Sequence, residues 1–181
     1  MNINKNNSSN STELNKIDSI NQIQLESDNI LNQFDEIKKI SNEFEKLFFT
    51  NEPNNFLFPI IFNYNFKKEI ANGFIEYKRT LSTYLMDNKK DKLLRQIYWR
   101  IYQGLVTDNV KLCYYIIGLE DSGFPSNSKS GELEVSLGLI KECLSDTNIK
   151  YEYLYLKNNI KDYIILVVKF FLDNDFNIDY F

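Results

Sequence analysis

The segment that most constrains this chain is LCYYIIGLE, Leu112–Glu120, which is apolar on both faces of an extended strand. Alternate side chains of a strand point to opposite sides, so a run of this kind belongs in the middle of a sheet, covered above and below. The chain must therefore build a sheet around it.

The flanking segments supply the remaining layers. Gly73–Leu81 alternates, with Ile75, Tyr77 and Leu81 on one side and Glu76 and Lys78 on the other, which predicts a strand with one wet face. Asp91–Tyr102 carries Leu94, Ile97, Tyr98 and Ile101 at helical spacing, with Gly104 as its stop. After the turn-rich stretch Asp121–Ser130, Leu133, Leu137, Ile140 and Leu144 mark a second helix. Ser130 is its expected N-cap, and Glu132 and Glu134 sit in its first turn, where the helix dipole favours acids. Lys150–Leu156 and Asp162–Phe170 read as two closing strands joined by a hairpin at Lys157-Asn158-Asn159. The order β-α-β-α-β-β predicts an α+β fold, a single sheet with two helices packed on one face.

Ahead of this domain, predicted to span 70–172, lie three other segments. Residues 1–22 are rich in Asn and Ser and are expected to be disordered, having too little apolar surface to offset ordering entropy. Residues 23–50 read as an amphipathic helix striped by Ile30, Phe34, Ile37, Phe44 and Phe48. That stripe either docks on its own domain or, over 28–49, offers a groove-seeking face to a protein partner. Pro53 and Pro59 make 51–69 an extended connector.

Composition narrows the chemistry. The 181 residues include no histidine, which removes Ser–His–Asp and Cys–His catalysis and every histidine-based metal site. Cys113 and Cys143 lie far apart in apolar stretches and read as reduced core thiols rather than a disulfide framework. The net charge of −4 is unfavourable for a nucleic-acid module, although it leaves room for a local basic patch. The N-terminal MNINKNNSSN lacks the apolar core of a signal peptide, and the longest apolar run, Tyr163–Leu172, is broken by Lys169. It is well short of the roughly 20 residues that span a bilayer. The expectation is a cytoplasmic protein without a membrane partner.

Four motifs touch on function. Gly123–Ser130 differs from a phosphate-binding P-loop by Ser128 in place of its second glycine, and Pro125 removes an amide from the loop. The expected reading is a polar strand–helix loop. Asn88-Lys89-Lys90-Asp91 matches the guanine-reading NKxD pattern, but it stands before a helix, where Asn88 serves as an N-cap. Glu69, Glu76 and Lys78 form a Glu…Glu-x-Lys arrangement that metal-dependent nucleases use, with Glu120 or Asp121 able to approach from the next strand. The bland alternative is an exposed Glu–Lys pair. Finally, Tyr151, Tyr153 and Tyr155 line one face of a strand, a row that either packs or stacks bases, and Trp99 lies off the apolar stripe of its helix. In a chain with a single alanine, Ala71, and an excess of Asn, Lys and Tyr, such matches arise readily from codon bias.

Taken in order, Glu69-Ile-Ala-Asn-Gly-Phe-Ile-Glu-Tyr-Lys78, Leu93-Leu94-Arg95-Gln96 through Arg100 to Gly104, Tyr115-Ile-Ile-Gly118, Glu120-Asp121-Ser-Gly123, Leu133 and Leu137, Asp162-Tyr163, and Asp173-Asn174-Asp175-Phe176 make a collinear set. It resembles the N-terminal domain of GTP-binding proteins 1 and 2, a family of translational GTPases related to elongation factor 1-alpha and elongation factor Tu. The resemblance implies that 173–181 leads into a GTPase domain beyond Phe181, and that GTP and magnesium belong there, with no cofactor in this chain. It implies a non-catalytic accessory role in GTP-dependent translation or ribosome quality control, with ribosome, RNA or a GTPase domain as partner. A truncated or split family member is the expected form. A more distant similarity, through Glu76-x-Lys78 and the Ile117-Gly118…Asp121…Gly123 turn, is to the Alba-type domains of Schlafen proteins. It implies a nuclease on Glu76 and Lys78. The third reading is a stand-alone protein- or RNA-interaction module.

Overall fold

The computed structural model describes residues 28, 31–51, 53, 59–62, 64–86 and 89–172. The segments 1–22 and 173–181 and the Asn88 cap therefore lie outside the described residues. The chain divides into two compact units, 1–36 and 37–181. In the first, residues 28 and 31–36 are helical. The second holds the sheet.

Residues 37–50 form helix α1. Strand β1 (Ile60–Phe62), β2 (Ile75–Lys78), helix α2 (Thr83–Met86), helix α3 (Lys90–Asp108), β3 (Leu112–Ile117), helix α4 (Ser130–Leu144), β4 (Ile149–Asn158) and β5 (Tyr163–Leu172) follow. The five strands make one mixed sheet in the order β1-β4-β5-β3-β2. Pairs β1–β4 and β2–β3 are parallel, while β3–β5 and β4–β5 are antiparallel. The fold is α+β, and β3 is inside the sheet with Cys113 to Ile117 fully buried, as a strand apolar on both faces requires.

The register separates the two faces. Glu76, Tyr115, Val168 and Tyr153 line up across the strands on one side, and Tyr114, Lys169 and Glu152 on the other. Helices α3 and α4 cover the first side: Cys113 Sγ reaches Ile97 O at 3.8 Å, and Lys141 stands over the Tyr153 ring. Helix α1 covers the second. Its Ile37, Ile40, Phe44 and Phe48 are buried, with the Phe44 and Tyr114 rings 5.2 Å apart. Glu45 accepts from Tyr114 Oη and from Lys169 Nζ, tying the helix to β3 and β5. From Ile37 onward the amphipathic stripe is thus taken up by the domain's own sheet.

Several local expectations are corrected. The connector 51–69 contains β1, a strand too short to show a period. Helix α3 does not stop at Gly104. It continues to Asp108 and closes on left-handed Asn109, whose N–H returns to Leu105 O at 3.1 Å. Gly104 serves contact instead: a Cβ there would lie 2.4 Å from Leu112 O. Ser130 is the first helical residue of α4, not its cap. The cap is Lys129, whose N–H donates to Glu132 Oε2 at 3.2 Å. The β4–β5 turn is Asn159–Asp162, with Asn158 Oδ1 accepting from the Ile160 and Lys161 amides at 3.0 Å each. Among the described residues, no helix is long and apolar enough to cross a membrane.

Candidate functional site

The Glu…Glu-x-Lys set does not face water. Glu76 is 3 % exposed and Arg100 4 %, so the expected wet face of β2 is a covered one. Arg100 lies on the apolar stripe of α3, between Ile97 and Ile101 and Gly104. Its guanidinium fills the corner between α3 and the segment leading into β2. Nη1 donates to Ala71 O at 2.9 Å and Gly73 O at 2.6 Å, and Nη2 pairs with Glu69 Oε1 at 2.7 Å. Nη2 also forms an ion pair with Glu76 Oε2. Glu76 Oε1 takes Lys78 Nζ and, at 3.1 Å, Gln96 Nε2. Glu69 Oε2 accepts the Tyr77 N–H at 2.6 Å, which satisfies an outward-facing amide of the edge strand β2.

Two carboxylates and two cations are thus arranged with no net charge. Burial, seconded by the neighbouring Glu76, pushes the Glu69 carboxyl up from the usual range, against the Tyr77 amide, Arg100 and Lys78 that hold it down. Each charge that a metal-assisted phosphodiesterase would direct at an ion is spent on its neighbour. Glu120 pairs with Arg79 at 3.1 Å rather than approaching Glu76. The Asp121 side chain is exposed, and its backbone carbonyl accepts the Glu69 N–H at 2.7 Å. Among the described residues, no three Cys, His, Asp or Glu side chains are placed to hold a metal ion.

Beside this network, at the carboxyl ends of the parallel strands β2 and β3, a cleft of about 640 Å³ opens between the segment after β2 and the loop before α4. Lys78, Arg79, Asp121 and Glu132 are its charged walls, and Thr80, Thr83, Tyr84, Ser126, Asn127 and Ser128 its polar ones. The crevice beyond the carboxyl ends of parallel strands is where α/β sheets bind ligands, and the volume suits a small molecule. Of the Glu…Glu-x-Lys set and its expected acidic neighbours, Lys78 and Asp121 line this cleft. Arg100, Gln96 and Tyr84 were missed as parts of the network behind the cleft. Arg100 carried a signal, an arginine in register with buried Ile97 and Ile101, since a buried guanidinium requires a carboxylate.

Part of the Gly123–Ser130 backbone is turned inward. Leu119 and Pro125 form a bridge, Glu120 N–H donates to Phe124 O at 2.9 Å, and Ser126 N–H to Gly118 O at 2.9 Å. Those bonds turn amides into the protein. Gly123, at φ 83°, is required by crowding: a Cβ there would meet Lys67 O at 2.4 Å. Glu132 places a carboxylate in the first turn of α4, where a phosphate would otherwise sit. Of the NKxD look-alike, Lys89 caps α3 without a side-chain bond, and Lys90 pairs with Glu142 across to α4. In the tyrosine row, Tyr153 is 3 % exposed and meets Tyr155 edge-on at 6.2 Å, which is packing geometry. Trp99 is exposed, as its place off the stripe predicts, and both cysteines are free.

No family model, curated protein or solved structure matches the chain.

Proposed function

We propose that the chain is a non-catalytic binding domain, an accessory domain of a cytoplasmic translational GTPase system of the kind its segments from Ile70 onward resemble. The observation that carries the binding reading is the commitment of Glu69, Glu76, Lys78 and Arg100 to one another, which leaves beside them a preformed polar cleft without a reacting set. The translational assignment rests on the resemblance. Calorimetric titration with GTP and magnesium is expected to give no binding heat. Micromolar, magnesium-dependent affinity would overturn the reading and make Gly123–Ser130 a nucleotide loop. Co-sedimentation with purified ribosomes is expected, and its failure would remove the translational assignment. Labelled RNA incubated with Mn²⁺ should stay intact; cleavage that Glu76→Ala abolishes while the variant keeps the parent's circular dichroism would make the chain a nuclease.

A stand-alone RNA-interaction module has one observation behind it. Lys141, Ile149, Lys150, Tyr151 and Tyr153 line a groove of about 410 Å³ between α4 and β4. Fluorescence anisotropy with single-stranded RNA tests it: saturable binding that Lys150→Glu weakens supports this reading, and none removes it.

A further inference from the structure

At the carboxyl ends of β2 and β3, several hydroxyls lining the cleft are left as hydrogen-bond acceptors. Ser128 Oγ donates its proton to Arg79 O at 2.8 Å, so in the 2.6 Å contact between the two serines Ser126 is the donor. Tyr84 Oη donates to Gln96 Oε1 at 3.0 Å. Ser136 Oγ gives its proton to Glu132 O at 2.8 Å, so Thr80 Oγ1 donates to Ser136 or to Ser82. Four of the lining hydroxyls, Thr80, Tyr84, Ser126 and Ser128, therefore spend their protons on the protein, and what these four have left for a ligand is oxygen lone pairs.

The charges lean the same way. Lys78 is paired with Glu76, and Arg79 with Glu120. Among the described residues, Glu132 Oε2 meets a backbone N–H and no cation, and the exposed Asp121 carboxylate makes no ion pair. Two carboxylates thus remain, among the described residues, without a cation of their own, in a lining that also holds Tyr84, Thr80, Ser126 and Ser128. Lone pairs, excess negative charge and an aromatic wall together suit a donor-rich cation, not a phosphate.

We infer that this cleft binds an organic cation, an alkylammonium or guanidinium group. Two sources share that chemistry, a free polyamine and a lysine or arginine side chain of a partner protein. The inference deepens the binding reading and stands apart from the GTPase resemblance, which the GTP and ribosome experiments test separately.

The test is titration of the ¹⁵N-labelled full chain at constant ionic strength, following the amides of Asp121, Ser126, Asn127 and Ser128. Agmatine and spermidine represent the free source; Gly-Arg-Gly and Gly-Lys-Gly, capped at both ends, represent the side chain. The expected result is saturable shifts confined to the cleft, from at least one of these probes. Stronger response to the peptides than to the free amines identifies the protein source, and the reverse identifies the polyamine. Asp121→Asn, which keeps the backbone carbonyl that holds Glu69, is expected to weaken binding about tenfold with the rest of the spectrum unchanged. The inference falls if none of the four cations shifts these amides. It falls equally if inorganic phosphate or Mg²⁺ shifts them as strongly, or if Asp121→Asn binds as well as the parent.

Discussion

Replacing Glu76 by glutamine asks whether the charge at this position is structural. Glu76 is 3 % exposed, and it faces Arg100, Lys78 and Gln96. Removing one partner of a buried ion pair costs about 3–5 kcal/mol, because the other charge stays buried without compensation. Arg100 retains Glu69 and the carbonyls of Ala71 and Gly73, and glutamine still offers an oxygen to Lys78. Those residual bonds place the cost near the lower end, about 3 kcal/mol, a large part of the roughly 5–15 kcal/mol that holds a domain folded. With a urea slope of about 2 kcal/mol per molar, the unfolding midpoint should fall by about 1.5 M. Circular dichroism through a urea series measures it. A midpoint within about 0.3 M of the parent would refute the structural role. A rise would be worse for it, since carboxylates strained together for metal chemistry stabilise a protein when one is removed.

Tyr114 and Tyr115 are buried phenols, both pushed well above the usual value by burial. Above about pH 10 the unfolded chain releases these protons and the folded one keeps them, so stability falls with rising pH by about 2.7 kcal/mol per unit for the pair. Of the twelve tyrosines, the last two to give tyrosinate absorbance should do so together with the loss of helical ellipticity, in one cooperative alkaline transition; ionisation of both buried phenols in a chain that stays folded would contradict the burial. Gly104→Ala should destabilise by about 1–3 kcal/mol, because its Cβ would press on the Leu112 and Val110 carbonyls. Gly138→Ala, on α4 with open space around it, should instead stabilise by about 0.5–1 kcal/mol, and paired thermal melts read both signs. Phe44→Ala should cost about 3–5 kcal/mol by emptying the contact between α1 and Tyr114, and an unchanged urea midpoint would mean that α1 does not dock on its own sheet.

The legible features were those written in a period. Leu112–Ile117 is continuous and apolar, so its central place in the sheet could be read directly. The spacing of Leu133, Leu137, Ile140 and Leu144 likewise placed α4. Strand β1 was illegible because three residues hold no period, and its place beside β4 comes from a partner far along the chain. The end of α3 was misread because glycine has two uses, as a left-handed stop or as a gap for a close neighbour, and only the neighbour distinguishes them. For the candidate site, Lys78 and Asp121 were visible as residue types, but the hydroxyls of Thr80, Ser126 and Ser128 carried no signal. Serine and threonine are frequent in any loop, and their value here lies in where their protons go.

The sequence by itself determined that a sheet forms around Leu112–Glu120, that helices alternate with its strands, and that histidine chemistry is absent. Those properties are local, set by side-chain type and spacing along the chain. Only the tertiary structure decided that Glu76 points at Arg100 instead of at solvent. Alternation along β2 gives Glu76 a side of the sheet, but what lies on that side is supplied by a helix some twenty residues later. The same holds for the cleft, whose acceptor-rich lining exists only because the proton partners of Tyr84, Ser126 and Ser128 come from other segments folded against them.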